Sequence, residues 1–178
     1  MVEFLLLNGA DPNAQTTDGR TPLMMAASAG DLLSTDLLLE ANADPHRHAA
    51  DGSTALGNAL LGKHAALGER LIAAGAAVDQ NTVNGLTPLI IAVRTGHTPS
   101  VNMLLYAGAD PNARDSRDGN TPLMYAANHG FEDLVEILLA RGADPTLRAR
   151  DGWTALKAAE MVGENGIIAA LRSAGASE

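Results

Sequence analysis

Few side chains in this sequence are of the types and spacings that do chemistry. There are five histidines and no cysteine, so thiolate zinc sites and thiol nucleophiles are excluded. The closest histidine pair is His46 and His48, separated by Arg47. On an extended loop the two imidazoles point to opposite sides of the backbone and make a poor chelate. The sequence therefore predicts no metal site.

Carboxylates and serines do not form a catalytic pattern either. Aspartates recur at equivalent positions of a repeating pattern, at Asp11, Asp44, Asp110 and Asp144. Equivalent positions on packed helices lie about 9–10 Å apart, too far for paired acid/base work, so these residues are expected to form turns. The serines have no nucleophile elbow, and no glycine-rich stretch carries the Gly-Lys-Ser/Thr of a phosphate loop. We therefore expect no catalytic residue, no cofactor and no enzymatic activity.

The composition of the chain limits the kinds of fold and partner to be expected. Apolar residues make up 46% of the 178 positions but aromatics only 3%, which favours a core of closely packed helices. The net charge of −9 disfavours nucleic acid as a ligand. No stretch approaches the roughly 18 apolar residues of a membrane span, and the run from Phe4 to Leu7 is too short for a secretory signal. We expect a cytoplasmic protein that binds neither nucleic acid nor membrane.

A repeat of 33 residues determines the expected architecture. The motif Thr-Pro-Leu or Thr-Ala-Leu begins at Thr21, Thr54, Thr87, Thr121 and Thr154, with one interval of 34 residues before Thr121. Ahead of each threonine stands an Asp-Gly or Asn-Gly pair, at Asp18-Gly19, Asp51-Gly52, Asn84-Gly85, Asp118-Gly119 and Asp151-Gly152. Such regular self-similarity is typical of a solenoid.

Each element of the repeat has a physical role. The threonine is expected to cap a helix, and a proline after it needs no backbone donor in the first turn. Gly130 then ends this helix, because glycine adopts the left-handed conformation at little cost. A second helix carries large apolar pairs such as 138–139, and Gly142 ends it. The pattern predicts an all-α solenoid of helix-turn-helix units with projecting β-hairpin loops.

This unit resembles the ankyrin repeat, and the stretch from Asp118 to Asp144 matches the family's pattern almost throughout. The resemblance implies a single ankyrin-repeat domain over 1–178, with a half repeat at 1–15 and repeats at 16–48, 49–81, 82–115, 116–148 and 149–178. The family's usual histidine after Thr-Pro-Leu, which ties adjacent loops together, is replaced by Met24, Gly57, Ile90, Met124 and Lys157. This replacement leaves the rigidity of the loops open.

The N-terminal half repeat lacks the first helix of a unit. Phe4 and Leu5 are therefore expected to lie on an open apolar face. This face marks either the boundary of a fragment or a surface for end-to-end contact, including self-association.

Two interior units also depart from the pattern. Gly57, Gly62 and Gly68 fall in the helices of one unit, where each costs about 1 kcal/mol relative to alanine with no evident packing gain. The additional residue of the 34-residue unit falls within 113–118. It is either a feature of a binding face or a neutral insertion.

In ankyrin proteins that bind partners, the concave side is lined by the hairpins and the ends of the first helices. Carried over to this sequence, the expected contacts are Leu86, Arg94, Arg117, Asn120, Asn128, His129, Arg150 and Trp153. The arginines 114, 117, 148 and 150 beside an aromatic tip favour an acidic protein segment. Alternatively, Trp153 folds over its own neighbour and the arginines form a solvated loop face.

The resemblance predicts a protein–protein interaction scaffold that binds its partner through the concave face. Two other functions stay open. The chain could be a regulatory segment of a larger enzyme or channel, or a structural spacer without a ligand.

Overall fold

The computed structural model describes residues 1–82 and 85–177; Asn84 of the expected Asn-Gly turn and Glu178 of the last repeat lie outside this part. Its helices are α1 (Val2–Leu7), α2 (Pro22–Ala29), α3 (Leu32–Glu40), α4 (Ala55–Leu61), α5 (Ala65–Ala73), α6 (Pro88–Arg94), α7 (Thr98–Tyr106), α8 (Pro122–Asn128), α9 (Glu132–Ala140), α10 (Ala155–Val162) and α11 (Asn165–Ser173). Helix α1 is followed by helices in pairs, and the predicted all-α fold is confirmed.

A buried threonine begins the first helix of each pair. Its hydroxyl oxygen accepts a hydrogen bond from the backbone N–H three residues later, at 3.0–3.4 Å, in Thr21, Thr54, Thr87, Thr121 and Thr154. Because a buried hydroxyl and a buried helical N–H would each be costly without a partner, the bond satisfies both. The predicted threonine caps are confirmed.

The first helices α2, α4, α6, α8 and α10 pack in a row, and the second helices pack in a parallel row behind them. Five residues after each cap threonine stands a buried alanine, at Ala26, Ala59, Ala92, Ala126 and Ala159. This small side chain lets neighbouring first helices approach closely. Leucines from both rows, including Leu89 of α6 and Leu104 of α7, fill the space between them.

The turns between paired helices need a left-handed residue. Gly30, Gly96, Gly130 and Gly163 have φ between 64° and 84°, and Lys63 adopts the same conformation with φ 60°. A side chain at Gly30 is also excluded by packing, since a Cβ there would lie 2.6 Å from the His64 ring. Lys63 bears a conformational cost that the glycines avoid.

The projecting hairpin loops are tight turns without extended strands among the described residues. Backbone hydrogen bonds close these turns, such as Thr16 N–H to Arg20 C=O at 3.0 Å and Ala149 N–H to Trp153 C=O at 2.8 Å. The single β-bridge within the described residues joins His48 and Thr54. The predicted hairpin loops are short, because too few residues flank each turn to form a ladder.

The three glycines of the repeat at 49–81 only partly have the locations and roles that the sequence predicts. Gly62 is the C-cap of α4 and lies outside the helix, whereas Gly68 is buried inside α5. A Cβ at Gly68 would lie 2.9 Å from the Met103 sulfur of α7. The expectation that this glycine has no packing role was wrong, because it makes room for a methionine of the next repeat.

We predict that Gly68→Ala is close to neutral in the parent chain, because the gain in helix propensity is offset by displacement of Met103. In a Met103→Ala background the same change should stabilise by about 1 kcal/mol. Urea unfolding of the four chains of this double-mutant cycle measures the difference. Equal effects of Gly68→Ala in both backgrounds would contradict the proposed contact.

Candidate functional site

Three adjoining clefts follow the hairpins and the first helices. The wide cleft has a volume of about 370 Å³ and is lined by Asp18, Arg20, Asp51, Ser53, Gly57, Asn58, Leu61, Thr82, Leu86, Ile91 and Arg94. The arginine cleft, about 250 Å³, is lined by Leu86, Arg94, Asp115, Arg117, Asp118 and Tyr125. The Trp153 cleft, also about 250 Å³, is lined by Asp118, Asn120, Met124, Tyr125, Asn128, Asp151 and Trp153.

Shared walls join these clefts into one groove. Leu86 and Arg94 belong to both the wide cleft and the arginine cleft. Asp118 and Tyr125 belong to both the arginine cleft and the Trp153 cleft. The groove therefore extends without interruption from the hairpin of Asp18 to that of Trp153.

A buried carboxylate shapes the arginine cleft. Asp115 is only 2% exposed. Its Oδ1 accepts hydrogen bonds from the backbone N–H groups of residues 117, 118 and 119, at 2.7–3.1 Å. Its Oδ2 accepts from the backbone N–H of Asn120 and from the Tyr125 hydroxyl, both at 3.1 Å. Five donors thus converge on one side chain.

Asp115 explains how the fold accepts the additional residue. In the first hairpin the closing bond runs from Thr16 to Arg20, but here it runs from Asp115 to Asn120, one residue further. The longer turn has more backbone N–H groups to satisfy, and the carboxylate accepts four of them. Asp115 converts the insertion into an ordered wall of the arginine cleft.

Burial and hydrogen bonding act in opposite directions on this carboxyl. Burial by itself would raise the pKa of Asp115, but the N–H groups of Asp118 and Gly119 and the Tyr125 hydroxyl together lower it below its ordinary value. Burial and the adjacent Asp115 charge raise the pKa of the Tyr125 phenol. Tyr125 therefore stays protonated and donates, which fixes its ring between two clefts. The Arg94 guanidinium lies over that ring, 5.8 Å from its centroid.

Trp153 is half-buried and forms a wall of the last cleft. Its side chain packs partly against the core and also lines the cleft. Its backbone N–H donates to the Asp151 carboxylate at 2.9 Å. Met124 lies at the floor of the same cleft and is buried. The cleft combines aromatic walls with an acidic rim.

A family model described as ankyrin repeats, in three copies, matches residues 1–60, 30–115 and 108–177. The chain belongs to the ankyrin-repeat family. No curated protein matches the chain. Ankyrin repeats are generally protein-interaction modules and typically non-catalytic.

The loops of this ankyrin array are tied together without the family's usual histidine. The Arg114 guanidinium donates to the carbonyl of Arg148 at 2.7 Å, and that of Arg150 donates to the carbonyl of Arg117 at 2.8 Å. At the exit loops, Asn112 bonds with Gly142 and Asp144 of the following repeat, and Asn13 makes the equivalent pair of bonds with Asn42 and Asp44 of the repeat that follows it. Side chains thus tie adjacent loops together in an array that lacks this imidazole.

The aspartates of the exit loops serve as turn residues. Asp11, Asp44, Asp110 and Asp144 each accept a hydrogen bond from the backbone N–H two residues later, at 2.8–2.9 Å. This confirms the turn prediction. Among the described residues, no three His, Asp or Glu side chains group in a way that could hold a metal ion. No helix in the same part of the chain is long and apolar enough to cross a membrane.

The structure divides the predicted contact residues between neighbouring clefts. Leu86, Arg94 and Arg117 lie in the arginine cleft, whereas Asn120, Asn128 and Trp153 lie in the Trp153 cleft. Two predicted residues line neither of these clefts.

The two outlying residues are engaged elsewhere. His129 caps α8, donates from Nδ1 to the Tyr125 carbonyl at 2.8 Å, and stacks on Phe131. Arg150 is engaged with the Arg117 carbonyl. Two of the four arginines of the expected basic cluster, Arg114 and Arg150, thus tie neighbouring hairpins together.

Sequence reasoning missed Tyr125, Asp115 and the hairpin aspartates as cleft walls. Tyr125 occupies the fourth position after its cap threonine, as Asn58 and Ile91 do, and both of those line the wide cleft. This helical position could have identified Tyr125 as a cleft residue from the sequence. No feature of the sequence indicates the contact between Tyr125 and Asp115.

We predict that Asp115→Asn destabilises the chain by about 2–3 kcal/mol at pH 7, because an amide cannot accept from all five donors. The pKa of Asp115 is lower in the folded chain than in the unfolded chain, where it is about 3.9. The stabilisation by the carboxylate is therefore complete above the pKa of the unfolded state and is lost as the pH falls through the pKa of the folded state. The difference between the two chains in unfolding free energy should therefore shrink below about pH 4.

Chemical denaturation between pH 7 and pH 3 measures this effect, with Glu136→Gln as the control for an exposed carboxylate on α9. A pH-independent difference between the parent chain and Asp115→Asn would show that the carboxylate charge is not responsible.

Proposed function

We propose that this chain binds an extended segment of a protein partner in the groove formed by the three clefts, as an interaction scaffold without chemistry of its own. The observation that carries the proposal is the continuity of the groove through Leu86 and Arg94 on one side and Asp118 and Tyr125 on the other. An extended segment advances about 3.3 Å per residue, so three residues span one repeat of about 10 Å.

The chemistry of the groove suits a protein chain. Half-buried Leu86 and Trp153 offer apolar surface, and polar groups such as Asn120 and Asn128 surround it. Aromatic residues in partly desolvated pockets supply most of the binding energy in many interfaces. We infer that the C-terminal half, with the arginine cleft and the Trp153 cleft, contributes most of the affinity.

This proposal predicts that Trp153→Ala weakens binding of the partner by about 2 kcal/mol or more, because an aromatic wall is removed. Arg117→Ala should act chiefly on the association rate, with an effect that fades as salt increases, and the direction of the effect reports the sign of the charge that the partner brings to the arginine cleft. A pull-down from native extract identifies the partner, and surface plasmon resonance with the purified partner measures the rates.

Thr17→Ala and Leu33→Ala are the matched controls, since both side chains are exposed and neither lines the groove. They should leave the affinity unchanged. Equal losses from Trp153→Ala and Leu33→Ala would place the site elsewhere. If the chain captures no partner, the result would favour the alternative function of a structural spacer without a ligand.

We also propose a second association surface at the N-terminal end. Phe4 and Leu7 of α1 are 67% and 80% exposed, and an apolar cleft of about 380 Å³ between α1 and α2 includes Val2, Pro22 and Met25. Helix α1 packs on α3, which leaves this end open. A second copy could cover the exposed apolar surface in an end-to-end contact.

Self-association through this surface predicts a concentration-dependent increase in mass by sedimentation, because burying each large apolar side chain yields about 1.5–3 kcal/mol. Phe4→Glu should abolish it, while Leu33→Glu, on exposed surface of α3, should not. A parent chain that stays monomeric at all concentrations would refute this second proposal.

A further inference from the structure

The Trp153 cleft differs in charge from the other two clefts of the groove. The wide cleft has two arginines beside Asp18 and Asp51, and the arginine cleft has two arginines beside Asp115 and Asp118. The Trp153 cleft, in contrast, is lined by Asp118 and Asp151, and no arginine or lysine of the described residues lines it. Its rim carries two carboxylates, of which Asp118 is shared with the arginine cleft and Asp151 is not.

Both carboxylates are available to a ligand. Neither Asp118 nor Asp151 takes part in an ion pair within residues 1–82 and 85–177. Asp151 accepts one hydrogen bond, at Oδ1 from the Trp153 N–H, and its other oxygen has no partner in that part of the chain. The nearby Arg150 guanidinium is engaged with the Arg117 carbonyl.

The uncharged walls of the cleft also suit a cation. Trp153 and Tyr125 present aromatic rings, whose faces attract cations by their quadrupole. Asn120 and Asn128 supply amide groups with acceptor oxygens. The Tyr125 ring is held in place by its bond to Asp115, so this wall exists before a ligand arrives.

We propose that the Trp153 cleft receives a lysine or arginine side chain of the partner, between the carboxylates of Asp118 and Asp151 and against the Trp153 ring. This inference rests on the proposed function and names the charge of the bound segment. It reverses the sequence-based expectation of an acidic segment at this cleft, because none of the four arginines behind that expectation lines it, and two of them, Arg114 and Arg150, donate to carbonyls of neighbouring hairpins. The net charge of −9 is complementary to a basic partner.

Trp153 is the sole tryptophan, so its fluorescence reports on this cleft directly. The probes are four acetylated and amidated peptides, Gly-Ser-Thr-Ser-X-Ser-Thr-Ser-Gly, with arginine, lysine, glutamine or glutamate at X. Titration of the full chain to concentrations on the order of millimolar, at low salt, follows binding by tryptophan emission and amide chemical shifts. The arginine or lysine peptide should bind at least about tenfold more tightly than the glutamine peptide.

The double variant Asp118→Asn/Asp151→Asn should lose this preference. The control variant Asp44→Asn/Asp110→Asn removes the same number of charges from turn aspartates that line none of the groove clefts, and should retain it. If the double variant fails to fold by circular dichroism, Asp118→Asn alone carries the test, because that carboxylate accepts no hydrogen bond among the described residues.

Two results would overturn the inference. One is equal binding, or no binding, of all four peptides; the other is a basic preference that survives loss of both aspartates. Either result leaves the groove as the proposed partner site if Trp153→Ala still weakens binding of the captured partner. Loss of the basic preference only in the groove variant would support the inference.

Discussion

The alanine five residues after each cap threonine is buried between neighbouring first helices, and this close approach governs the concave side of the molecule. Because no helix pair covers its own apolar surface, each depends on the pair before it and the pair after it. The same packing sets the distance between hairpins to about 10 Å. The hairpins then stand near enough for Arg114 and Arg150 to reach the carbonyls of adjacent repeats and for shared residues to join the clefts.

Asp115 connects this packing to the candidate site. A longer turn in a stacked array would leave N–H groups without partners, but the buried carboxylate accepts them and also orients Tyr125. Tyr125 in turn is a wall that the arginine cleft and the Trp153 cleft share. The turn with the inserted residue thus contributes walls to two adjoining clefts of different charge.

Much of the fold could be predicted from the sequence because the determining interactions are local. A threonine cap bonds three residues ahead, and a turn aspartate such as Asp144 bonds two residues ahead, so both are visible in the spacing. The repeat then extends each local prediction to the whole chain. Lys63 shows the limit of this approach, since its left-handed backbone follows from its place in the array and not from its type.

The site was less predictable because its walls come from side chains that meet across repeats. The positions of Leu86 and Trp153 follow from the repeat, but whether an arginine faces the groove or a neighbouring carbonyl depends on distances that the sequence does not contain. Arg117 and Arg150 are similar in the sequence, yet only Arg117 lines a cleft. The acidic charge of the Trp153 cleft appears only when Asp118 and Asp151, one repeat apart, converge on it.

The most direct test of the groove as the binding surface is backbone amide chemical-shift mapping with a bound segment, chosen by selecting a random peptide library on the intact chain. We expect the perturbed amides to concentrate in 86–94, 115–128 and 151–153, across the arginine cleft and the Trp153 cleft. Perturbations confined to the second helices α5, α7, α9 and α11, or to the N-terminal end at α1, would contradict this expectation.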